Sequence, residues 1–106
     1  MSRYRLSVAA SEDLIAIYIQ SQDQFGPRQA DRYQDELEAL FDRLAASPGV
    51  ARLRADYDPP IRVFIFKAHV VIYDEEPGGV LMQRVRHGHE DWRTDPKGDG
   101  DEGREP

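Results

Sequence analysis

The sequence predicts an α+β domain, an antiparallel-rich sheet packed by an N-terminal helix hairpin in the order strand, helix, helix, strand, strand, strand. Three observations carry this. Apolar residues from Leu14 to Leu44 recur at spacings of three and four, the helical period, with one break at Gly26-Pro27. After Asp58-Pro59-Pro60 the apolar residues fall into short runs rich in β-branched and aromatic side chains. Those runs are separated by Ala68-His69 and by Glu76-Pro77-Gly78-Gly79, which suit tight reversals and hairpin turns.

The first strand is short. Arg3 to Val8 alternates so that Tyr4, Leu6 and Val8 share a face. Ser7 or Ser11 can then cap a helix, and the acids Glu12 and Asp13 suit its positive N-terminus. Leu14, Ile17, Tyr18 and Phe25 give it an apolar stripe to about Gln24. Glycine ends this helix and proline opens the next. In the second helix Ala30, Tyr33, Leu37, Leu40 and Leu44 step by three and four, with Phe41 widening the stripe, until Ser47-Pro48-Gly49 stops it. The short turn between the helices implies an antiparallel pair, each covering one side of the sheet.

Residues 50–60 form an irregular linker. Ile61 to Lys67 is apolar on both faces apart from Arg62, as a central strand would be. Val70 to Tyr73 pairs back on it, and Val80 to His87 follows the glycine turn. By alternation Val80, Met82, Arg84 and Arg86 share one face of this last strand, and Leu81, Gln83, Val85 and His87 the other.

At 106 residues the chain has room for one domain with one real core. We expect that domain to span 1–94, followed by an acidic, disordered tail over 95–106, which holds five acids and two bases. The net charge of -6 argues against general or sequence-specific nucleic-acid binding and favours a protein partner. Without an apolar run long enough to span a bilayer, or an apolar leader after Met1, a cytoplasmic protein is expected. With no cysteine there is no disulfide or thiolate chemistry.

The end of the last strand reverses the global charge. Arg84 and Arg86 could clamp a phosphate or pair with acids from the second helix or from a partner. His87 and His89 lie two apart, with no third ligand at a metal-binding spacing, so no metal is expected, and no cofactor motif is present. His87 could serve as an acid or base, or simply finish the core edge. Arg62 could approach Arg84 if the two strands are neighbours. Lys67 and His69 read as solvent-exposed turn residues. Trp92, the only tryptophan, either packs back on the domain or anchors a partner.

Taken together, these residues resemble the ParE branch of the RelE/ParE toxin superfamily, from about Tyr4 to Asp91. The resemblance rests on an ordered set: Tyr4-Arg5-Leu6-Ser7, Ala9-Ala10 and Asp13-Leu14; Phe25-Gly26, then Gln29-Ala30-Asp31-Arg32-Tyr33; Leu37, and Leu44-Ala45 before Ser47-Pro48; Ile61-Arg62-Val63-Phe64; His69-Val70-Val71-Ile72-Tyr73; and Arg84-Val85 followed by His87. It implies the toxin half of a bacterial type II toxin–antitoxin pair, a ParD-like antitoxin that wraps it in a hetero-oligomer, and DNA gyrase as the target. Target-binding residues would be Arg84, His87, His89 and Trp92, and antitoxin-binding residues Arg62, Arg84 and Tyr73.

The RelE branch instead cuts mRNA on the ribosome, and here Arg62, Arg84, Arg86 and His87 would be the catalytic candidates. Against it stand the acidic body, the few lysines, and Gly88-His89 where the nuclease pattern has an aromatic hydroxyl. A third reading is a degenerate toxin that only binds its antitoxin. The expectation is a protein-binding, non-enzymatic poison of gyrase.

Overall fold

A computed structural model describes residues 3–98. The strand β1 (Arg3–Leu6) leads into helices α1 (Val8–Phe25) and α2 (Pro27–Ala46), a 3-10 turn at Pro48–Val50, and strands β2 (Leu53–Arg54), β3 (Ile61–Phe66), β4 (His69–Glu76) and β5 (Gly79–His87). One mixed sheet has the order β1-β5-β4-β3-β2. The pairs β2–β3, β3–β4 and β4–β5 are antiparallel, and β1 runs parallel to β5. The α+β, antiparallel-rich architecture is therefore the expected one, with the two-residue β2 found inside the linker.

Ser7 is the α1 cap. Its Oγ accepts from the Ala10 N–H and donates to the Gln83 carbonyl, so one hydroxyl starts the helix and ties it to β5. Because α1 begins at Val8, Val8 belongs to the helix rather than the strand. Glu12 and Asp13 then sit beyond the first turn, and Asp13 has another role described below. Gly26, at φ 89°, separates the helices, and Pro27 takes the first position of α2, where its missing N–H costs nothing.

Both helices lie on one face of the sheet, not on opposite faces. Leu14 and Ile17 of α1 and Leu37, Phe41 and Leu44 of α2 share a single core with Val71, Tyr73, Val80, Met82 and Val85. The opposite face is closed differently. Ile61, Val70 and Ile72 form a second cluster under Trp92, with Tyr57 and Val63 at its margin. Chain segments, not a helix, cover that side.

Three further expectations change. The central strands are β4 and β5; β3 pairs with β2 only at Ile61 and Arg62, so it lies near an edge. Pairing of β4 begins at His69, which is 8% exposed and therefore no solvated turn residue. The last strand is also not regular. Tyr73 pairs with Met82 but Ile72 pairs with Arg84, leaving Gln83 as the extra residue of a bulge. Beyond it Val85 returns to the helix face, so Arg84 and Arg86 lie on the opposite face from Val80 and Met82. Of the residues expected to form a tail, 95–97 place their carbonyls on Arg84 and Arg86, and 99–106 fall outside the described residues.

Candidate functional site

The bulge sorts the cationic end of β5 into two sites, one on each face. On the helix side His87 pairs in register with His69. Their rings meet edge-on at 5.2 Å, and the His89 ring stacks on His87 at 4.6 Å. The Tyr33 hydroxyl from α2 lies 2.7 Å from Nδ1 of His69. The result is a run of four rings from α2 across β4 and β5 to the turn beyond.

Hydrogen bonds fix the stack. The backbone N–H of His89 donates to Nδ1 of His87, which places the proton of a neutral His87 on Nε2. Glu90 accepts from the His87 N–H at 2.7 Å and from Nε of Arg86 at 3.2 Å, closing the turn after β5. Burial, and secondarily the neighbouring His87, lower the His69 pKa, with Glu90 opposing. Burial, then Glu36, push the Tyr33 hydroxyl up to about 12, so it stays protonated.

Two cavities open on either side of this stack. One, of about 350 Å³, lies between the C-terminal half of α1 and the start of α2, with Phe25, Tyr33, Lys67 and His69 in its wall. The other, of about 440 Å³, is flanked by Asp13, His87, His89 and Glu90. Ile17, Gln20, His69 and His87 line both. Lys67, at φ 54°, reaches back to Glu36 with Nζ 2.6 Å from Oε1. Imidazoles in this setting offer flat aromatic faces and single N–H donors, suited to stacking on a partner side chain and hydrogen bonding to it. Among the described residues no group of three or more His, Cys, Asp or Glu could hold a metal ion.

On the outer side the arginines are engaged. Arg84 makes a two-pronged pair with Asp13 of α1, Nε to Oδ2 at 2.7 Å and Nη2 to Oδ1 at 2.9 Å. The same Oδ2 accepts the Val85 N–H at 2.9 Å. β1 pairs with β5 only as far as Met82, so Asp13 satisfies a donor on an edge that β1 no longer reaches. Arg84 also donates to the Lys97 carbonyl, and Arg86 to the carbonyls of Asp95 and Pro96. Trp92 is 3% exposed against Ile61, Val70 and Ile72, so its indole is packed back on the domain.

Several candidates thus part company. Arg62 lies across β4 from Arg84 and does not approach it; its guanidinium donates to the Ala51 carbonyl and to Glu75. Tyr73 is fully buried, with its hydroxyl on the Pro48 carbonyl. The structure brings together His87 and His89, adds His69 and Tyr33, and separates all four from Arg84 and Arg86. Sequence reasoning missed His69, Tyr33 and Asp13. Counting outward from a turn at Pro77-Gly78 sets His69 opposite Arg86, and only the bulge moves it onto His87.

The geometry can be compared with known proteins. The family described as "ParE toxin of type II toxin-antitoxin system, parDE" matches residues 4–92. The chain belongs to the ParE toxin family. Toxin ParE1 of Mycobacterium tuberculosis is 34% identical over 87 residues, covering 81% of this chain and 89% of that protein. Toxin ParE1 of Caulobacter vibrioides is 35% identical over 94 residues, covering 85% and 91%. A chain of the chromosomal ParDE toxin–antitoxin system from P. aeruginosa shares the fold, with TM-score 0.70 at 17% identity over 82% of this chain and 96% of that one. Among the described residues no helix is long and apolar enough to cross a membrane.

Proposed function

We propose that this ParE-family toxin acts in the cytoplasm by binding DNA gyrase, without catalysing a reaction, and that a ParD-like antitoxin neutralises it in a hetero-oligomer. The observation that carries the non-enzymatic reading is the separation of the three candidate arginines from the imidazoles, while Lys67, which lines the cavity beside His69, is paired with Glu36. Cutting RNA requires positive charge at the phosphorane beside an acid and a base. Here Arg84 and Arg86 lie on the face opposite His87, and Arg62 lies beyond β4. The negative net charge opposes an RNA substrate as well. The gyrase-facing surface in this reading is His87 and His89, backed by His69 and the two cavities, with Arg84 and Trp92 holding the strand from behind.

The antitoxin has a separate place to dock. Ile15, Ile19 and Phe25 are exposed along α1, and Ile65 is exposed on β3. Beyond Arg62 the outer edge of β3 pairs with no strand among the described residues. An amphipathic helix over α1 and a strand on β3 would bury both features.

A gyrase supercoiling assay run beside a ribosome-programmed mRNA cleavage assay tests the proposal. Loss of supercoiling with intact mRNA is the expected result, and cleaved mRNA with normal supercoiling overturns it. Unimpaired growth on expression without antitoxin would favour a degenerate toxin that only binds its antitoxin.

A further inference from the structure

The outer ends of Arg84 and Arg86 hold main chain. Three consecutive carbonyls, of Asp95, Pro96 and Lys97, accept from the two guanidiniums at 2.7 to 2.9 Å. The Gly98 N–H closes the same turn on the Asp95 carbonyl at 3.1 Å. Gly98 itself has φ +72°, and a Cβ there would collide with Nη1 of Arg84. The turn sets its carbonyl oxygens on the arginines, and a side chain at its last position would strain the backbone and displace the Arg84 guanidinium. Upstream, the Tyr57 hydroxyl donates to the Arg93 carbonyl, and Trp92 covers Ile61, Val70 and Ile72. The segment 92–98 lies across the sheet as a bound peptide would.

We propose that this outer face is a peptide-binding surface, that the turn 95–98 is its built-in occupant, and that the external ligand which replaces the turn is an acidic peptide segment. The reason is the chemistry of the acceptors. A guanidinium bonds more strongly to an ionised carboxylate than to a neutral carbonyl, and can do so with two parallel hydrogen bonds. Arg84 already shows this preference in its pairing with Asp13. Asp13 and Glu90 keep their places on Nε of Arg84 and Arg86, so incoming carboxylates meet the outer donors that now hold the turn. The apolar shelf beside them favours a peptide over a nucleic acid. Releasing the turn would also loosen Trp92 and open the apolar shelf beneath it to a large side chain of the incoming peptide. This surface lies on the face of β5 opposite the histidine stack, with Asp13 and Glu90 bordering both, and its assignment does not depend on gyrase being the target.

The sole tryptophan reports directly on the cover. Acrylamide quenching of Trp92 in the full chain should be weak, and Gly98→Ala should raise the quenching constant about twofold with far-ultraviolet dichroism unchanged. Poly-L-glutamate, as probe, should bind Gly98→Ala about tenfold more tightly than the parent chain, a difference of about 1.4 kcal/mol. Arg86→Gln leaves Gly98 in place but removes two of the three carbonyl contacts. It should raise quenching too, yet gain no affinity for poly-L-glutamate. Unchanged quenching in both variants, or equal binding of the probe to all three proteins, overturns the proposal. So does tighter binding of polyuridylic acid than of poly-L-glutamate to Gly98→Ala, which would assign the surface to nucleic acid.

Discussion

At the scale of single residues, Asp13 and His69 matter more than their sequence neighbourhoods suggest. Asp13 serves a guanidinium and an orphaned backbone donor at once, in a pair whose side chains are only 15% and 21% exposed. Removing a partner from such a pair leaves a charge with little solvent to turn to. Asp13→Ala should therefore lower stability by about 2–4 kcal/mol, and Asp13→Asn by less, read from urea midpoints. His69 gives a pH dependence whose sign follows from its burial. Its folded pKa lies below the ordinary 6.5, so between the two values the unfolded chain binds more protons. The stability associated with keeping it neutral is complete above 6.5 and is lost as pH falls through 6.5 toward the lowered value. Urea midpoints compared at about pH 7.5 and about pH 5.5 should show this loss, and His69→Gln should reduce it. Tyr33→Phe should cost about 1 kcal/mol, since it strips a partly buried imidazole nitrogen of its hydroxyl partner.

At the scale of elements, the helices were the most legible parts. Ser7, Gly26-Pro27 and Ser47-Pro48 are physical start and stop signals, and the observed bounds follow them. Strand β5 was less legible because alternation assumes an unbroken period of two. One extra residue at Gln83 reverses the facing of everything after it, and the residues themselves do not announce a bulge. That single irregularity explains why the arginines and histidines, adjacent in sequence, form two sites. Glycine has a firmer positional meaning at the start of β5. A Cβ on Gly79 would collide with the carbonyl oxygen of Arg3. Gly79→Ala should detach β1 at a cost of about 2–4 kcal/mol, seen as rapid amide exchange at Arg3 to Leu6 while β4 stays protected.

At the scale of the molecule, the unequal faces decide where partners fit. Helices close one side, chain segments pinned by Trp92, Tyr57 and two arginines close the other, and the histidine stack sits where the sides meet. Placing a helix on each face was a reasonable expectation from a short interhelix turn. It failed because the hairpin keeps both apolar stripes pointing the same way, and Ile61, Val70, Ile72 and Trp92 needed only a loop to cover them. Ile15 and Ile19 are exposed at 61% and 54%, so charging them should leave the fold intact. Ile15→Glu with Ile19→Glu should shift the melting temperature by less than about 3 °C while weakening antitoxin capture about tenfold or more, measured by calorimetry and by titration with the antitoxin.

The two margins of the sheet also differ in what they permit. On one, the short strand β1 carries Arg3 and Arg5, with Arg5 fastened to Glu76, and Ser7 and Asp13 seal the stretch of β5 that β1 does not reach. On the other, β3 from Val63 to Phe66 has no charged side chain to discourage a visiting strand. Strand addition is thus open on one margin and guarded on the other, which makes the molecule monovalent in this mode. The charged β1 margin disfavours propagation of a sheet from copy to copy. That asymmetry is a safeguard against fibre growth.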